Sequence, residues 1–305
     1  MKFFLILLVF VAGAFASPEE NVGVEDPDLF EGDMRLTDAQ RLAAQMGQDI
    51  DSPSARGGIK TGRWPEGVMA YTIDRSLSQN SRAMNAIRAG MKMWTDNTCI
   101  RFKERTNEYA YARFWRGRGC SSMVGRTGRR QDISLAGGCW YPGTVAHEIG
   151  HALGFYHEQS RPDRDNYVTI HWNNISPNMK FNFNMYPRST IDSLGTPYDY
   201  RSVMHYQGNA FSSNGRATIT AKQSGVTLGN RRQLSKVDIQ QMNLMYKCSG
   251  GGGGGGGGPN PPPPPPPPPT DCRDTGRYCS YHVPLGDCKK MDIVRRKCKK
   301  SCGLC

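Results

Sequence analysis

The chain has 305 residues and a formal net charge of +12, which is enough length for one sizeable core and a smaller accessory domain. Its basic residues are not interleaved with aromatic side chains in a stripe, so we expect no nucleic-acid partner. Beyond the first residues, no apolar run approaches the roughly 20 residues that a membrane helix needs, so we expect no membrane span.

Residues 1–16 predict a secretory signal peptide. Met1 and Lys2 precede an apolar run over Phe3–Val11, and Ala14 and Ala16 form the small-x-small pattern after which signal peptidase cuts. We therefore expect a secreted, extracellular protein. In that oxidising compartment the ten cysteines favour five disulfides over metal-binding thiolates.

Residues 17–56 are interpreted as an acidic propeptide. They hold ten acidic and three basic side chains, and they end at Arg56, where an activating protease of trypsin-like specificity can cut. Removal of this segment leaves a more basic protein. That charge favours solubility, acidic substrates, an anionic matrix polymer or electrostatic clamping by the acidic segment, and all four remain open at this point.

Residues 57–249 predict one α+β domain. An amphipathic helix is expected from Asn80 to Thr98, because apolar residues recur there at helical spacing. The other predicted elements are strands over Gly67–Ile73 and Gln131–Leu135, a helix over Thr144–Leu153 stopped at Gly154, and a helix opened by the capping pair Ser235 and Asp238.

Two low-complexity runs separate this domain from the end of the chain. Residues 250–270 contain glycine over Gly250–Gly258 and proline over Pro261–Pro269. The glycines form a flexible tether and the prolines a semi-rigid polyproline II rod, so this linker keeps two domains apart. Residues 271–305 hold six of the ten cysteines and predict a small domain held by disulfides.

Five residues of the central domain predict a metal-dependent catalytic site. His147 and His151 are four residues apart, so on a helix both imidazoles project from one face and can hold one metal ion. Gly154 can take a backbone conformation that ends the helix and brings back His157 as a third ligand. Three nitrogen ligands leave a coordination position open, as in catalytic zinc sites, and three imidazoles favour one zinc ion per chain.

Glu148 lies next to the first of these ligands. Zinc lowers the pKa of a bound water, and Glu148 is placed to take its proton and pass it to the departing amine. The pattern therefore predicts peptide hydrolysis without a covalent intermediate. A short H-E-x-x-H also arises by chance on surface helices, but its extension by Gly154 and His157 favours the enzyme.

Further motifs accompany this segment in a consistent order. They are Trp64–Pro65, Val124–Arg126, Ile133–Leu135, His147–Glu158, Arg161–Val168 and Ser202–Tyr206. Together they resemble the astacin family of metzincin zinc proteases over most of residues 57–248. The resemblance implies a two-lobed α+β fold with a deep active-site cleft.

The resemblance also implies roles for single residues. Met204 would form an apolar floor under the metal, and Tyr206 would be a displaceable zinc ligand that swings away to stabilise the oxyanion. Glu158 would pair with the new N-terminus after the propeptide is cut. In the propeptide, the run from Phe30 to Asp33 resembles the prosegment motif in which the aspartate ligates zinc and displaces the water, so Asp33 would act as an aspartate switch.

Two arginines bear on substrate preference. Arg231 and Arg232 fall where several astacin-like enzymes carry a basic residue near the pocket just beyond the scissile bond. A guanidinium there favours an acidic residue on the leaving side of the substrate. A solvated loop charge is the alternative.

The last 35 residues, 271–305, resemble the ShK-type (ShKT) domain named after a sea-anemone potassium-channel toxin. The two resemblances imply the disulfides Cys99–Cys248 and Cys120–Cys139 in the larger domain, and Cys272–Cys305, Cys279–Cys298 and Cys288–Cys302 in the tail. The lysine-tyrosine pair of such toxins is absent between Cys288 and Cys298. Docking to a matrix or cell-surface ligand is therefore favoured over channel block.

We predict a secreted zinc metalloendopeptidase that hydrolyses extracellular proteins after its propeptide is removed. Two alternatives belong to other classes: a catalytically inactive matrix-binding scaffold, and a channel-blocking toxin that acts through the ShKT domain. The scaffold predicts a damaged site, whereas every residue of the zinc motif is present. The toxin predicts channel block by the tail and no effect of Glu148→Ala.

Overall fold

The computed structural model describes residues 29–36, 62–186 and 191–248. The predicted signal peptide, the cleavage point at Arg56, the linker and the ShKT segment with its three disulfides lie outside these residues. Within the described ranges, no helix combines the length and apolar character needed to cross a membrane.

The described residues form both strands and helices. The strands are β1 (Leu29–Phe30), β2 (Met34–Arg35), β3 (Val68–Ile73), β4 (Arg101–Glu104), β5 (Ala112–Trp115), β6 (Cys120–Met123), β7 (Gln131–Leu135), β8 (Val168–Ile170) and β9 (Ile219–Ala221). The α-helices are α1 (Arg75–Ser78), α2 (Ser81–Asn97), α3 (Pro142–Leu153) and α4 (Lys236–Tyr246). This mixture confirms the predicted α+β content.

Seven strands form one sheet in the order β1-β2-β6-β7-β5-β3-β4. The strands β4, β3, β5 and β7 run parallel to one another, whereas β6 is antiparallel to β7. The predicted propeptide supplies β1 and β2, and β2 pairs in parallel with β6, with Met34 opposite Ser122. The propeptide segment therefore extends the sheet beyond β6.

Helices α2 and α3 pack against each other in the main core. The Asn80 side chain caps α2 by accepting a hydrogen bond from the backbone N–H of Ala83 at 3.0 Å. The apolar stripe of α2 includes Ile87 and Trp94, both fully buried. The Trp94 indole donates to the carbonyl of Ala146 in α3 at 2.9 Å, which ties the metal-binding motif to the rest of the core.

The predicted helix ends differ little from the observed ones. Helix α3 begins at Pro142, two residues before its predicted start, because proline suits the first helical position, where its missing N–H is not needed. It ends at Gly154, which has the left-handed φ of 114° that favours glycine. In α4 the Ser235 hydroxyl accepts from the Asp238 N–H and the Asp238 carboxylate accepts from the Ser235 N–H, both at 2.8 Å, which confirms the capping box.

A second, smaller core lies beside β8 and β9. Its buried residues are Val168, Ile175, Phe183, Tyr198, Tyr206, Ile219 and Leu228. Met204 belongs to the main core, whereas Tyr206 belongs to the second. The turn over Ser202–Tyr206 therefore lies where the two cores meet.

The structure joins Cys99 to Cys248 and Cys120 to Cys139, the two pairings expected for this part of the chain. The first bond links residues 149 positions apart and ties the chain two residues beyond the end of α2 to the chain two residues beyond the end of α4. The second fixes the start of β6, the strand on which the propeptide segment lies.

We expect the double variant Cys120→Ala/Cys139→Ala to unfold with a free energy lower by about 3 kcal/mol, because the bond constrains a loop of 19 residues in the unfolded chain. Denaturant unfolding of both proteins under oxidising conditions measures the difference. A single variant with its partner thiol blocked controls for the loss of side-chain packing. An unchanged transition midpoint and slope would contradict the expectation.

Candidate metal centre and active site

Helix α3 and the residue that ends it position the histidines. His147 and His151 lie one helical turn apart on α3, and the imidazole rings are 4.6 Å apart between centroids. The left-handed Gly154 then reverses the chain and delivers His157. All three histidines and Glu148 are fully buried. The structure thus brings together the residues that the spacing predicts.

Four buried side chains converge here, and one possible ligand atom from each lies within 4.8 Å of the others; they are Asp33, His147, His151 and His157. Asp33 Oδ2 is 2.9 Å from Nε2 of His147 and 3.2 Å from Nε2 of His157. Its Oδ1 is 3.4 Å from Nε2 of His151.

Hydrogen bonds at the outer nitrogens orient the first two rings. Nδ1 of His147 lies 2.8 Å from the carbonyl oxygen of Val203, and Nδ1 of His151 lies 2.8 Å from that of Phe155. A carbonyl oxygen only accepts, so each Nδ1 carries the proton. Each Nε2 therefore presents a lone pair to the centre of the cluster, as metal-binding histidines do.

The converging atoms fit a zinc ion. Nε2 of His147 and Nε2 of His151 are 3.2 Å apart, although neither has a proton to share. Zinc with Zn–N bonds of about 2.0–2.1 Å in tetrahedral geometry sets two nitrogen ligands about 3.3 Å apart. Three imidazole nitrogens with one carboxylate oxygen form a donor set that Zn²⁺ accepts. The donor atoms of the cluster and the distances between them therefore fit a zinc site.

Met204 lies directly against the metal-binding helix. A Cβ added to Gly150 would be 2.8 Å from the Met204 sulfur, so α3 approaches this side chain as closely as glycine allows. The Met204 carbonyl also accepts a hydrogen bond from the N–H of Glu158 at 3.2 Å. The close approach of Gly150 to the Met204 sulfur is consistent with the predicted role of Met204 as an apolar floor under the metal.

Tyr206 faces both the metal cluster and the predicted propeptide segment. Its ring centroid is 4.6 Å from that of His157, and its hydroxyl donates to the backbone carbonyl of Glu31. Its N–H donates to Oε1 of Gln159 at 3.0 Å. The Tyr206 hydroxyl is thus held by the predicted propeptide segment, and its role as a zinc ligand stays a prediction.

Glu31 is a site residue that the sequence did not single out. It is fully buried, and its Oε2 lies 2.7 Å from Nδ1 of His157. Its Oε1 accepts a hydrogen bond from the Ser160 hydroxyl at 2.6 Å. In the sequence Glu31 is one of ten propeptide acids, and its place two residues before Asp33 was the only signal.

Glu158 lies beside a cavity of about 590 Å³ whose lining includes Arg63, Gly154 and Met204. Its Oε1 accepts from Nη1 of Arg161 at 3.1 Å and from the N–H of Asp199 at 2.8 Å. Burial raises the pKa of Glu158 to about 8, against the opposing charge of Arg161. A buried carboxylate next to a cavity is a favourable place for a further cation.

Arg231 points toward the turn over Ser202–Tyr206. Its Nη1 donates to the carbonyls of Val203 and His205, at 2.5 Å and 3.2 Å. The Arg231 guanidinium is therefore bound to the protein and is not a fully solvated loop charge. Arg232 is exposed, and no contact of its guanidinium bears on the site. The predicted preference for an acidic leaving-side residue stays a prediction for both.

Asp238 stabilises the turn over Ser202–Tyr206 through hydrogen bonds. Its carboxylate accepts from the Ser202 hydroxyl at 2.6 Å, from the Val203 N–H at 2.9 Å and from the Ser235 N–H at 2.8 Å. Because the Val203 carbonyl orients His147, Asp238 acts on the site through the turn. Burial raises the pKa of Asp238 to about 6, against these hydrogen bonds. The sequence predicted Asp238 only as a helix cap.

We expect Asp238→Asn to change the pH dependence of stability. With a native pKa of about 6 and an unfolded value of about 3.9, the folded state binds the extra proton, so the stability from this group is present below about pH 4 and is lost as the pH rises through 6. The amide does not titrate. Between about pH 4 and pH 6.5 the unfolding free energy of the wild type should therefore fall by about 2 kcal/mol relative to that of the variant.

Denaturant unfolding at several pH values measures this difference. Asp96→Asn, at an exposed position on α2, is the matched control. A wild-type-to-variant difference that stays constant over this pH range would contradict the expectation.

Comparisons with known proteins agree with this geometry. The family model described as Astacin (Peptidase family M12A) matches residues 58–247. Zinc metalloproteinase nas-15 of Caenorhabditis elegans is 42% identical over 229 residues, which are 72% of this chain and 40% of that protein. Blastula protease 10 of Paracentrotus lividus is 42% identical over 233 residues, 72% of this chain and 38% of that protein. The match thus spans about two fifths of the length of these relatives.

A solved structure is similar as well. High choriolytic enzyme 1, a hatching enzyme zinc-protease from Oryzias latipes, superposes with a TM-score of 0.57 and 41% sequence identity. The similarity covers 61% of this chain and 93% of that one. It therefore includes nearly the whole of the other chain and about three fifths of this one.

Proposed function

This chain belongs to the astacin family of zinc metalloproteases, and we propose that it is a secreted zinc endopeptidase made as an inactive precursor. One observation carries the proposal: the carboxylate of Asp33 lies among the Nε2 atoms of the three motif histidines, within a buried cluster. Three histidines suit a catalytic zinc with one position open to water. A propeptide carboxylate in that position keeps the substrate out.

The propeptide blocks the cleft in a second way. Strand β2 occupies the side of β6 on which a further strand can pair. Backbone pairing at a sheet edge is a common way to bind an extended peptide. We therefore propose that removal of the propeptide frees β6 for a substrate as well as the metal cluster.

Each residue of the site has a separate role in the proposed peptide hydrolysis. Zinc, when bound by His147, His151 and His157, supplies a Lewis acid that activates water and polarises the scissile carbonyl. Glu148, buried on α3, takes the proton and delivers it to the departing amine nitrogen. The Tyr206 hydroxyl, once released from the propeptide, donates a hydrogen bond to the developing oxyanion.

Activation is proposed to follow a cut after Arg56 by another protease. The new N-terminal ammonium would enter the cavity beside Glu158 and pair with that carboxylate. Burial raises the pKa of Glu158 to about 8, so an ammonium placed beside it would stabilise the charged form of this carboxyl group. The ShKT segment, residues 271–305, is proposed to dock the enzyme on a matrix or cell-surface ligand.

The proposal is tested by assaying the full-length chain on a broad peptide library before and after limited trypsin treatment. We expect cleavage only after trimming, its loss with a chelator and its return with zinc. Trimmed, zinc-loaded protein that binds extracellular partners but cuts nothing would favour the inactive scaffold. Channel block with no effect of Glu148→Ala would favour the toxin.

A further inference from the structure

We propose that four exposed arginines beside the N-terminal end of α3 form a binding surface for a sulfated polysaccharide. The four, called the arginine surface below, are Arg75, Arg82, Arg116 and Arg118. The inference goes beyond the proposed peptidase activity, because the surface uses none of the residues that would hold zinc. It also gives the larger domain a partner of its own, separate from the ligand proposed for the ShKT segment.

Contacts between distant segments bring these arginines together. The N–H of Arg116 donates to the Ser76 hydroxyl at 3.1 Å, which places the end of β5 beside α1, the helix that begins at Arg75. The bond between Cys120 and Cys139 ties the loop after β5 to the segment that leads into α3. The arginine surface is therefore assembled on a fixed part of the fold and not on a free loop.

Two of the guanidiniums are held by neighbouring aromatic rings. The guanidinium carbon of Arg116 lies 5.6 Å from the centroid of the Trp140 ring, and that of Arg82 lies 5.2 Å from the centroid of the Tyr141 ring. A cation at such a distance is attracted to the negative face of the ring. The Trp140 indole in turn donates to the Leu135 carbonyl at 3.2 Å. The guanidiniums are thus oriented before a ligand arrives, which lowers the entropy cost of binding.

The approach to Arg116 from solvent passes two glycines, Gly137 and Gly138, both of which are exposed. A Cβ added to Gly137 would lie 4.0 Å from Nη2 of Arg116, and one added to Gly138 would meet nothing within 4 Å. Neither residue places a side chain in front of the guanidinium. Its N–H groups can therefore bind two oxygens of a tetrahedral oxyanion such as a sulfate group.

The chain around the arginine surface carries an excess of positive charge. Residues 75–95 include four basic and no acidic side chains, and residues 116–131 include five basic and no acidic ones. The acids that flank these stretches, Asp74 and Asp132, both lie near Arg113, at 3.9 Å and 2.7 Å from its guanidinium nitrogens. The positive charge of the surface therefore attracts a polyanion.

The aromatic rings favour a polysaccharide over a nucleic acid. Single-stranded nucleic acid binds where its bases stack on open aromatic rings, whereas Arg116 and Arg82 each lie over one of the two rings here. The surface offers a ligand guanidinium groups, and a sulfated polysaccharide presents oxyanions along its whole length without needing a base to stack. An exported protein, as the signal peptide predicts, would meet such polymers outside the cell.

Binding is measured by calorimetry on the full-length precursor with a heparin-derived decasaccharide. We expect the double variant Arg82→Gln/Arg116→Gln to bind at least about tenfold more weakly, a loss of about 1.4 kcal/mol. The matched control is Lys180→Gln/Arg216→Gln, which removes the same charge from two exposed positions near the second core. Its affinity should change less than about threefold, because distant charges are screened by salt.

Three results of this titration would overturn the proposal. Equal weakening in the two double variants would mean that only the net charge of the chain matters. Equal affinity for the decasaccharide before and after chemical desulfation would remove sulfate recognition. Tighter binding of a single-stranded DNA with the same number of charges would assign the surface to nucleic acid.

A local readout separates the arginine surface from the basic tail. Wild-type full-length protein is treated with an arginine-selective dicarbonyl reagent, and modified residues are located by mass spectrometry. With the decasaccharide at about ten times its Kd, modification of Arg82 and Arg116 should slow about tenfold, since about a tenth of the sites are then free, whereas Arg216 should react as before. A bound decasaccharide that leaves Arg82 and Arg116 fully reactive would overturn the proposal. Neither readout uses zinc or peptide cleavage, so a failure of the proposed peptidase would not change them.

Discussion

Glu148→Gln should lower kcat for peptide cleavage by the trimmed protein by about 10²- to 10⁴-fold, the range that a positioned proton-transfer group contributes. Glutamine has nearly the same shape and stays on α3 between the ligands His147 and His151, but it can neither take a proton from water nor give one to the amine. Initial rates on a fixed peptide substrate measure the loss, and zinc content measured on the same samples should stay at one ion per chain.

The matched control for this variant is Glu66→Gln, because Glu66 is exposed and lies outside the cluster. We expect it to keep both activity and zinc. Wild-type rates from a zinc-loaded Glu148→Gln protein would contradict the account, since Glu148 is the one acidic residue among the twelve of α3.

Asp33→Ala should raise the activity of the untrimmed precursor by at least about 100-fold. Asp33 lies 2.9–3.4 Å from all three histidines, where its carboxylate would meet the bound cation, and removing one partner of a buried ion pair costs about 3–5 kcal/mol. A loss of that size corresponds to a factor of about 100 or more in the open population. Cleavage of a small peptide by full-length protein that is protected from trypsin-like proteases measures the effect.

Asp38→Ala, in the same acidic segment, controls for the change in propeptide charge and should leave the precursor inactive. A small peptide substrate is required, because β2 would still cover β6 in the Asp33→Ala protein. If the Asp33→Ala precursor is as inactive as the wild type and trypsin treatment then activates it fully, the inhibition comes from strand pairing and not from the carboxylate.

The parts of the site that the sequence predicted are those encoded by local spacing. A spacing of four positions from His147 to His151 places both on one helical face, and a glycine at 154 permits the left-handed turn that delivers His157. The helix over Ser81–Asn97 followed from its apolar period. These features depend on neighbours within one or two turns, which a sequence pattern records.

The parts that were missed depend on contacts between distant residues. Glu31 meets His157 across 126 positions, and Asp238 meets Val203 across 35. No period or spacing encodes such a contact, since it exists only after the chain has packed. Arg231 is similar: its side chain turns inward to the carbonyl of Val203, and a loop sequence does not specify that direction. Asp33 was predicted only because its short motif resembles that of a known family.

The most direct test of the account is a crystal structure of the full-length precursor with anomalous diffraction measured on both sides of the zinc absorption edge. The account predicts a single zinc peak in the described cluster, bound by Nε2 of His147, His151 and His157 and by the carboxylate of Asp33. A cluster without zinc in a zinc-replete protein, or a zinc ion whose fourth ligand is water with Asp33 turned away, would contradict it.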